Sequence, residues 1–447
     1  MNFLRLRKDD SSQMLKLAFP AMITQLSTTL VQIVDTMFIG KIGPLAIGAA
    51  AVTGIIIFNI TAVGDGFSTG MVAAIARMDG NNDRKNAVIF STTGIAALTF
   101  LGILLTPFFL VGADPIFKLI QIPEGLETTA WDYYSIFISF VPAIFAFTAL
   151  SASFRARGDT TTPMVVGFGI NFVNIILDWF LIFGKFGFPA MGVRGAALAS
   201  GFSFLSGSIL LALISILSEK GLLQFKRTNF SLSHLIRIAR VGFPSMIERF
   251  AMSLSQLMVM ALTVNPMGSL AIASFHIVMK LASLSFMPGF GFAMATATMT
   301  GQRLGASDPE GAERMIWTGT FYCGILMIIL CALYFVIPGP LLSLFTDSSD
   351  VIASSTWPLR IYATLAIFLA PAMVVRGGLQ GAGDTAFTMK MMLLSRFIIR
   401  LPLSWFLGNF LAMGLTGVWF AICMDFILRG VVFMVYAKKG IWKTKKI

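Results

Sequence analysis

Charged residues are scarce in this sequence, and histidine and cysteine are scarcer still. Only 12% of the 447 residues are charged, against about 25% in soluble globular proteins. Two histidines, His234 and His276, are too few for a histidine-rich metal site, and no glycine-rich loop ends in Lys-Ser or Lys-Thr. The three cysteines lie in apolar runs, which indicates core residues and neither a disulfide framework nor a metal cage. We therefore predict that the chain is not an enzyme, carries no cofactor and is not a nucleotide-driven pump.

Hydrophobic residues dominate instead. They make up 56% of the chain, with 42 Phe and 26 Met, and they form successive runs of about 20 residues, the length that crosses a bilayer. The first run follows a short basic stretch and lacks the pattern of a cleaved signal peptide, so we expect it to be retained. We predict an all-α, polytopic membrane protein with twelve transmembrane helices, near 14–38, 45–72, 87–111, 128–151, 162–184, 195–217, 242–263, 269–299, 315–337, 357–375, 389–410 and 414–436.

Basic residues are concentrated in alternate loops, whereas the opposite loops carry little beyond Lys41, Lys118, Lys185 and Arg194. By the positive-inside rule, the basic loops and both termini are predicted to be cytoplasmic, in a multi-pass protein of the cell membrane. The net charge of +12 does not indicate nucleic-acid binding, because the basic residues do not cluster on a soluble face with aromatics. The basic loops contain Arg77, Arg84, Lys85, Arg155, Arg157, Lys220, Lys226, Arg227, Arg237, Arg240, Arg303 and Arg314.

The sequence contains an internal repeat. Gly158-Asp159-Thr160 recurs 225 residues later as Gly383-Asp384-Thr385. Further matches in the same order pair Gly66 with Gly291, Gly80 with Gly305, Asp83 with Asp308, and Pro20 with Pro244. Two halves with six spans each have the same orientation and form a parallel repeat. We predict an N-terminal six-helix lobe (1–218), a cytoplasmic linker (219–241) and a C-terminal six-helix lobe (242–447).

The duplicated Gly-Asp-Thr loops, Pro20, Pro244, the loop Gly-Gln-Arg-Leu-Gly-Ala at 301–306 and the twelve-span plan resemble the multidrug and toxic compound extrusion (MATE) family. The resemblance covers essentially the whole chain. It implies two lobes arranged as a V, bent helices at Pro20 and Pro244, and a secondary active transporter with alternating access. The implied activity is multidrug efflux, in which small cationic or amphiphilic organic compounds are exchanged for Na⁺ or H⁺. We expect a monomer in the lipid bilayer.

The resemblance also implies an ion-coupling site in the N-terminal lobe. Family members carry an aspartate fifteen residues after the first proline, which is Asp35 here, and an Asn-x-x-x-Asp pair, which is Asn174 and Asp178. In the sixth helix, Ser200 replaces the threonine of the Gly-Ala-Ala-x-Ala-Thr motif and still supplies a hydroxyl oxygen.

The residues themselves agree with this site. Asn171, Asn174 and Asp178 share one helix face, and a carboxylate in hydrocarbon costs at least about 2.5 kcal/mol, so it is either used or paired. From the ends of their spans, Asp35, Asp178 and Ser200 lie at similar depth. The carboxylate, amide and hydroxyl oxygens of these residues could coordinate Na⁺, which prefers oxygen ligands. Alternatively, the two carboxylates could hold a proton between them, because their mutual repulsion raises a pKa. The alternative is that Asn174 and Asp178 only cap or pair with a neighbouring backbone.

Four residues are candidates for substrate contacts or for support of the ion site, namely Tyr134, Asn171, Gln32 and Glu248. Tyr134 enters the fourth span at the depth of the aspartates, and Glu248 follows Pro244 in the seventh. The neighbouring Arg249 is the candidate for neutralising Glu248.

Three further sets of charges lie within or near the spans. Asp425 and Arg429 have the i, i+4 spacing of a helical ion pair. Arg396 and Arg400 make the C-terminal lobe basic. Asp65, near the predicted end of the second span, is expected to cap locally or to pair with Arg77.

Two other functions remain open. A lipid-linked oligosaccharide flippase shares the lobes, and Arg396 and Arg400 would suit its pyrophosphate group. An ion channel or a membrane receptor is the further alternative, but the sequence shows no pore-filter signature and no soluble sensory domain.

Overall fold

A computed structural model describes residues 7–120, 122–123, 125–218, 221–224 and 229–445. Three of the basic-loop residues used to predict topology, Lys220, Lys226 and Arg227, lie outside the described residues. Within these ranges the chain is helical and contains no strand. The helices of the first half are α1 Lys8–Gly40, α2 Pro44–Gly80, α3 Arg84–Val111, α4 Ala113–Ile120, α5 Glu127–Ser139, α6 Val141–Ala156, α7 Thr161–Phe183 and α8 Val193–Leu217. Those of the second half are α9 Leu232–Val259, α10 Ser269–Gly305, α11 Pro309–Val336, α12 Pro338–Ser343, α13 Ser349–Leu365, α14 Leu369–Gly381, α15 Thr385–Leu393, α16 Leu401–Trp405 and α17 Gly414–Lys439.

The helices confirm the predicted number of spans. Eleven helical stretches of the described chain are long and apolar enough to cross a membrane. The pair α5 and α6, bent by 46° at their junction, supplies the twelfth when counted as one span. Several helices are longer than predicted: α2 continues to Gly80 and α9 begins at Leu232. Hydropathy marks only the part of a helix that suits hydrocarbon, whereas backbone hydrogen bonding continues into the polar flanks.

The chain forms two compact units. The N-terminal unit comprises Ile23–Met246, and the C-terminal unit comprises Met1–Met22 with Ile247–Ile447. The division falls inside α1, shortly after Pro20, and inside α9, shortly after Pro244. The boundaries of these units differ from those of the predicted lobes, because the described residues up to Met22 group with the C-terminal unit and the described residues after Leu217 and up to Met246 group with the N-terminal unit.

Two glycines related by the repeat allow part of α9 and part of α1 to pack closely within their units. A Cβ atom on Gly66 of α2 would collide with the backbone of Met246, inside the N-terminal unit. A Cβ on Gly291 of α10 would collide with Met22 and with the carbonyl of Ala18, inside the C-terminal unit. Only glycine permits such close backbone approach, so the same feature fixes the first half of α9 in the N-terminal unit and the first half of α1 in the C-terminal unit.

The repeat predicted from the sequence is also visible in the turns. Gly158 and Gly383 both adopt positive φ, at +79° and +87°, the left-handed region that glycine enters without strain. Asn82 and Ser307, also 225 residues apart, have φ of 55° and 58°. Equivalent backbone conformations at equivalent positions are expected of a duplicated six-helix segment.

The helix caps repeat in the same way. Asp83 caps α3 by accepting a hydrogen bond from the Asn86 backbone, and Asp308 caps α11 by accepting one from Gly311. The Asn86 side chain also donates to Asp83, and these hydrogen bonds lower the pKa of the Asp83 carboxyl. Such caps satisfy backbone N–H groups that a helix leaves unpaired at its start.

Candidate functional site

A cavity of about 730 Å³ lies inside the N-terminal unit. Residues of α1, α2, α5, α6, α7 and α8 line it, and most of them are apolar. Five residues singled out in the sequence come together in its wall, namely Gln32, Asp35, Asn171, Asn174 and Ser200. The cavity therefore joins positions that are up to 168 residues apart in the chain.

Asn174 connects two elements of this wall. When its amide is oriented to satisfy both of its polar atoms, the nitrogen donates to Asp35 Oδ1 at 3.0 Å and the oxygen accepts from the Ser200 backbone N–H at 3.3 Å. The reversed amide would turn its oxygen toward the Asp35 carboxylate, which can only accept while ionised, so the hydrogen-bond network assigns the first orientation. Asn174 thus holds α1 and α8 to α7 at the site.

Asp178 is the least compensated member of the group. It is 1% exposed, and neither of its carboxylate oxygens receives a hydrogen bond from the residues that the structure describes. Its carboxyl lies within hydrogen-bonding reach of the Asp35 carboxyl. Two ionised carboxylates cannot hydrogen-bond to each other, because neither supplies a donor. The pair is complete only when it holds a proton or when a cation neutralises it.

These groups suit either a proton or Na⁺. Two carboxylates, an amide oxygen and a hydroxyl offer the oxygen ligands that a hard cation prefers. In the described part of the chain, no three His, Cys, Asp or Glu side chains are grouped so as to hold a metal ion. A cation at Asp35 and Asp178 would therefore take neutral oxygens for its remaining contacts, such as the Ser200 hydroxyl and, once its amide has turned over, the oxygen of Asn174.

The structure places Tyr134 outside the cavity wall and its neighbour Tyr133 within it. Tyr134 is fully buried, donates to the Phe109 carbonyl at 3.1 Å and does not belong to the cavity wall. Its neighbour Tyr133 lines the cavity together with Phe137, one turn further on. Depth along α5 was readable from the sequence, but adjacent residues on a helix point about 100° apart. Which of them faces a cavity depends on how the helix is packed.

Asp65 lies in a different place from the one predicted. The expectation that it caps the end of the second span is wrong, because α2 continues fifteen residues further and the Asp65 side chain lines the same cavity as Asp35. Its backbone carbonyl accepts hydrogen bonds from Ser68 and Thr69. The cavity wall therefore carries two acidic side chains, Asp35 and Asp65.

Asn171 and Gln32 occupy different positions in the wall. Asn171 donates to the Ser27 hydroxyl at 2.7 Å, which links α7 to α1. Gln32 is exposed on α1, one turn before Asp35. The Asp35 carboxylate receives its hydrogen bond from Asn174, and neither Asn171 nor Gln32 takes part in it.

Glu248 belongs to the C-terminal unit and is not part of this cavity. It is 1% exposed and accepts three hydrogen bonds, from Arg376 at 2.5 Å, Gln380 at 3.1 Å and Thr388 at 3.1 Å. Its main charged partner is thus Arg376 of α14, where the sequence had suggested Arg249. A carboxylate with this many donors is already compensated.

The pairing of Asp425 and Arg429 is confirmed. The two side chains form a two-pronged ion pair along α17, with N–O distances of 2.7 and 2.9 Å. Both are buried. The three cysteines are likewise buried with free thiols, as expected of core residues.

Comparison with known proteins identifies the chain's relatives. The family model MatE matches residues 20–180 and 244–406, one segment in each half. The probable multidrug resistance protein NorM of Thermotoga maritima is 30% identical over 436 residues, covering 97% of this chain and 94% of the relative. The multidrug resistance protein NorM of Vibrio cholerae is 27% identical over 423 residues, covering 92% of each.

Solved structures share the fold over the whole chain. An outward-facing multidrug resistance MATE family transporter of the MOP superfamily has a TM-score of 0.91 at 21% identity, covering 98% of this chain and 97% of the other. A MOP superfamily transporter from Pyrococcus furiosus, described as having a binding pocket of reverse polarity, also has a TM-score of 0.91 at 21% identity, covering 99% and 98%. At this identity the likeness concerns the fold alone.

Proposed function

This chain belongs to the MatE family of multidrug and toxic compound extrusion transporters, and from that membership we propose that it exports cationic or amphiphilic organic compounds in exchange for Na⁺ or H⁺. As a member of the family it is a multi-pass membrane transporter and not an enzyme. The name multidrug resistance protein, carried by its NorM relatives, supports small organic molecules as the substrates.

A single observation carries the proposal of ion coupling. The Asp178 carboxylate is buried without a donor and faces the Asp35 carboxyl, at the wall of a cavity that is otherwise mostly apolar. An uncompensated pair of this kind is unfavourable in a membrane protein, so a proton or a cation should bind there. Release of that ion recharges the pair, and binding neutralises it, which gives the protein two electrostatic states.

The cavity also suits the proposed substrates. Its volume of about 730 Å³ falls within the range of about 300–1,000 Å³ that is usual for drug-sized ligands. Aromatic rings of Tyr133, Phe137 and Phe58 line it beside Asp35 and Asp65. Rings attract cations through their π faces, and the carboxylates supply full charges. Substrate and coupling ion would then compete for one acidic cavity, which is what exchange requires.

Alternating access needs an element that changes shape. We propose that α1 and α9 are these elements, since each contains an internal proline, Pro20 or Pro244, shortly before the boundary between units. Proline removes a helical hydrogen bond and weakens the helix locally. Because Asn174 binds Asp35 on α1, the charge state of the pair acts directly on that helix.

The coupling ion can be tested in inverted membrane vesicles that contain the overproduced transporter. We expect uptake of a fluorescent organic cation to be driven by an imposed Na⁺ gradient or by an imposed pH gradient, and to stop when the effective gradient is collapsed. Counterflow of labelled against unlabelled substrate in proteoliposomes distinguishes a carrier from a channel. An uptake rate that changes with neither the Na⁺ gradient nor the pH gradient would contradict ion coupling.

The orientation in the membrane is a second testable prediction. We propose that both termini and the turn after α2 face the cytoplasm, because basic residues concentrate in those loops. Asn82 and Asp114 are exposed and lie at opposite ends of α3. In intact cells, a membrane-impermeant thiol reagent is expected to label an Asp114→Cys variant and not an Asn82→Cys variant. The buried native cysteines should give no background, and strong labelling at position 82 from outside would refute this orientation.

A further inference from the structure

The C-terminal unit contains a buried group of charged side chains in which arginine outnumbers acid. This arginine cluster comprises Arg376, Arg396, Arg400, Arg429, Glu248 and Asp425. Arg396, Arg400 and Arg429 are 6%, 3% and 4% exposed. Four guanidinium groups and two carboxylates therefore share an interior region of one unit.

Both carboxylates of the arginine cluster are already bound to an arginine. Glu248 pairs with Arg376 at 2.5 Å, and Asp425 pairs with Arg429 through both of its oxygens. These pairs account for two of the four arginines. Arg396 and Arg400 are left as the excess positive charge.

The contacts of these two arginines are incomplete. Arg400 donates to Gln256 Oε1 at 2.9 Å, which is a neutral acceptor. The Nε atoms of Arg396 and Arg400 have no hydrogen-bond partner among the described residues. The charged groups that act on Arg396 are three arginines and one acid, Asp425, which Arg429 already occupies.

The backbone that carries them is unusual. Residues Leu394–Arg400 form a π-helix, in which Arg396 and Arg400 are the third and the last residue. Short π-helical segments inside longer helices are rare and occur frequently at functional sites. Four residues later, the buried Ser404 hydroxyl also lacks a partner in the described structure and adds a further donor on the same helical stretch.

A buried excess of guanidinium charge is strongly unfavourable unless an anion compensates it. We propose that Arg396 and Arg400 bind an oxyanion, a phosphate or carboxylate group, inside the C-terminal unit. The planar guanidinium group matches both anions through paired N–H donors, which lysine cannot do. This site is chemically opposite to the acidic cavity of the N-terminal unit and does not depend on the ion coupling proposed there. The anion can come from a lipid headgroup or from a small free molecule.

Titration of the purified full-length protein in an uncharged detergent tests the proposal and separates the two sources. One arm uses dihexanoyl phosphatidic acid, a second uses inorganic phosphate, and a third uses dihexanoylglycerol as the uncharged control. We expect saturable binding in at least one of the first two arms and none in the third. Arg396→Gln and Arg400→Gln should each weaken that binding at least about tenfold, the loss that follows from removing a charged hydrogen-bond donor.

Arg360→Gln is the matched control. Arg360 lies on α13 over the rings of Phe335 and Trp357 and outside the arginine cluster, so its loss should leave binding unchanged. Binding of the lipid alone identifies a headgroup site, and binding of phosphate as well identifies a site for free anions. Absence of binding in both arms, or an equal loss in Arg360→Gln, would overturn the proposal.

Thermal stability without added anions gives an independent readout. If Arg396 is held ready for an anion, Arg396→Gln removes like-charge repulsion and should melt at or above the wild-type temperature in phosphate-free buffer. An arginine that only supports the fold would lower the melting temperature when replaced. A clear decrease, or failure of the variant to fold, would therefore also refute the anion site.

Discussion

Replacing Asp35 or Asp178 by asparagine is expected to abolish gradient-driven efflux while the protein stays folded and inserted. Asparagine keeps the shape of the side chain but removes the charge that a proton or cation would neutralise. The pair would then have one charge state in place of two. We expect transport to fall to the rate of protein-free vesicles under both Na⁺ and pH gradients.

Folding should survive these changes because the pair is repulsive. Asp178 has no hydrogen-bond donor to lose among the described residues, and removing one of two facing carboxylates relieves repulsion. Thermal melting in detergent should therefore show a transition at or above that of the wild type. Wild-type transport rates in both aspartate variants, under every gradient, would show that the coupling site lies elsewhere.

Two further aspartates serve as controls. Asp132 forms an exposed ion pair with Arg194 at 2.8 Å on the same unit, and exposed pairs contribute only about 0–1 kcal/mol. Asp132→Asn should leave transport unchanged. Asp65→Asn removes charge from the same cavity but leaves the Asp35 and Asp178 pair intact. We expect it to slow the export of cations and to preserve the dependence on the gradient.

The second large effect concerns the buried ion pair of α17. Breaking a buried pair by removing one partner costs about 3–5 kcal/mol, because the other charge is left unpaired in a low-dielectric interior. Asp425→Asn should be the more damaging single change, since Arg396, Arg400 and Arg429 all interact with Asp425. Arg429→Gln should destabilise less, because Asp425 is then free of Arg429 and the otherwise excess charge of Arg396 and Arg400 can compensate it.

The double variant Asp425→Asn with Arg429→Gln should melt above Asp425→Asn alone, because no single charge of the pair is left behind. Melting temperatures of the three variants in detergent, combined as a double-mutant cycle, measure this coupling. The matched control is the pair Lys443 and Glu313, whose side chains are 25% and 28% exposed. Its single and double variants should differ little, and equal losses in all three α17 variants would remove the pairing argument.

The sequence by itself determined the class, the number of spans and the duplication. Lipid offers no hydrogen bonds to the backbone, so apolar runs of bilayer length become helices whatever surrounds them. The repeat reappears in the structure as matched turns at Gly158 and Gly383. Asp425 and Arg429 were equally readable, because a pair at i, i+4 on one helix needs no knowledge of other helices.

Part of the candidate site was also readable. Asn171 and Asn174 lie on one face of α7, as helical periodicity predicts, and both line the cavity. The position of Asp35 beside them came from resemblance to a family. Whether the pair with Asp178 couples an ion remains a prediction.

Only the tertiary structure decided how the helices are rotated and which distant groups meet. It placed Tyr133 in the cavity wall in place of Tyr134, and it turned Asp65 toward the same cavity. It also gave Glu248 the partner Arg376, 128 residues away. The rotation of a helix about its axis follows from packing against several neighbours at once. No local pattern records that packing, so the faces that form a site emerge only when all the helices are assembled.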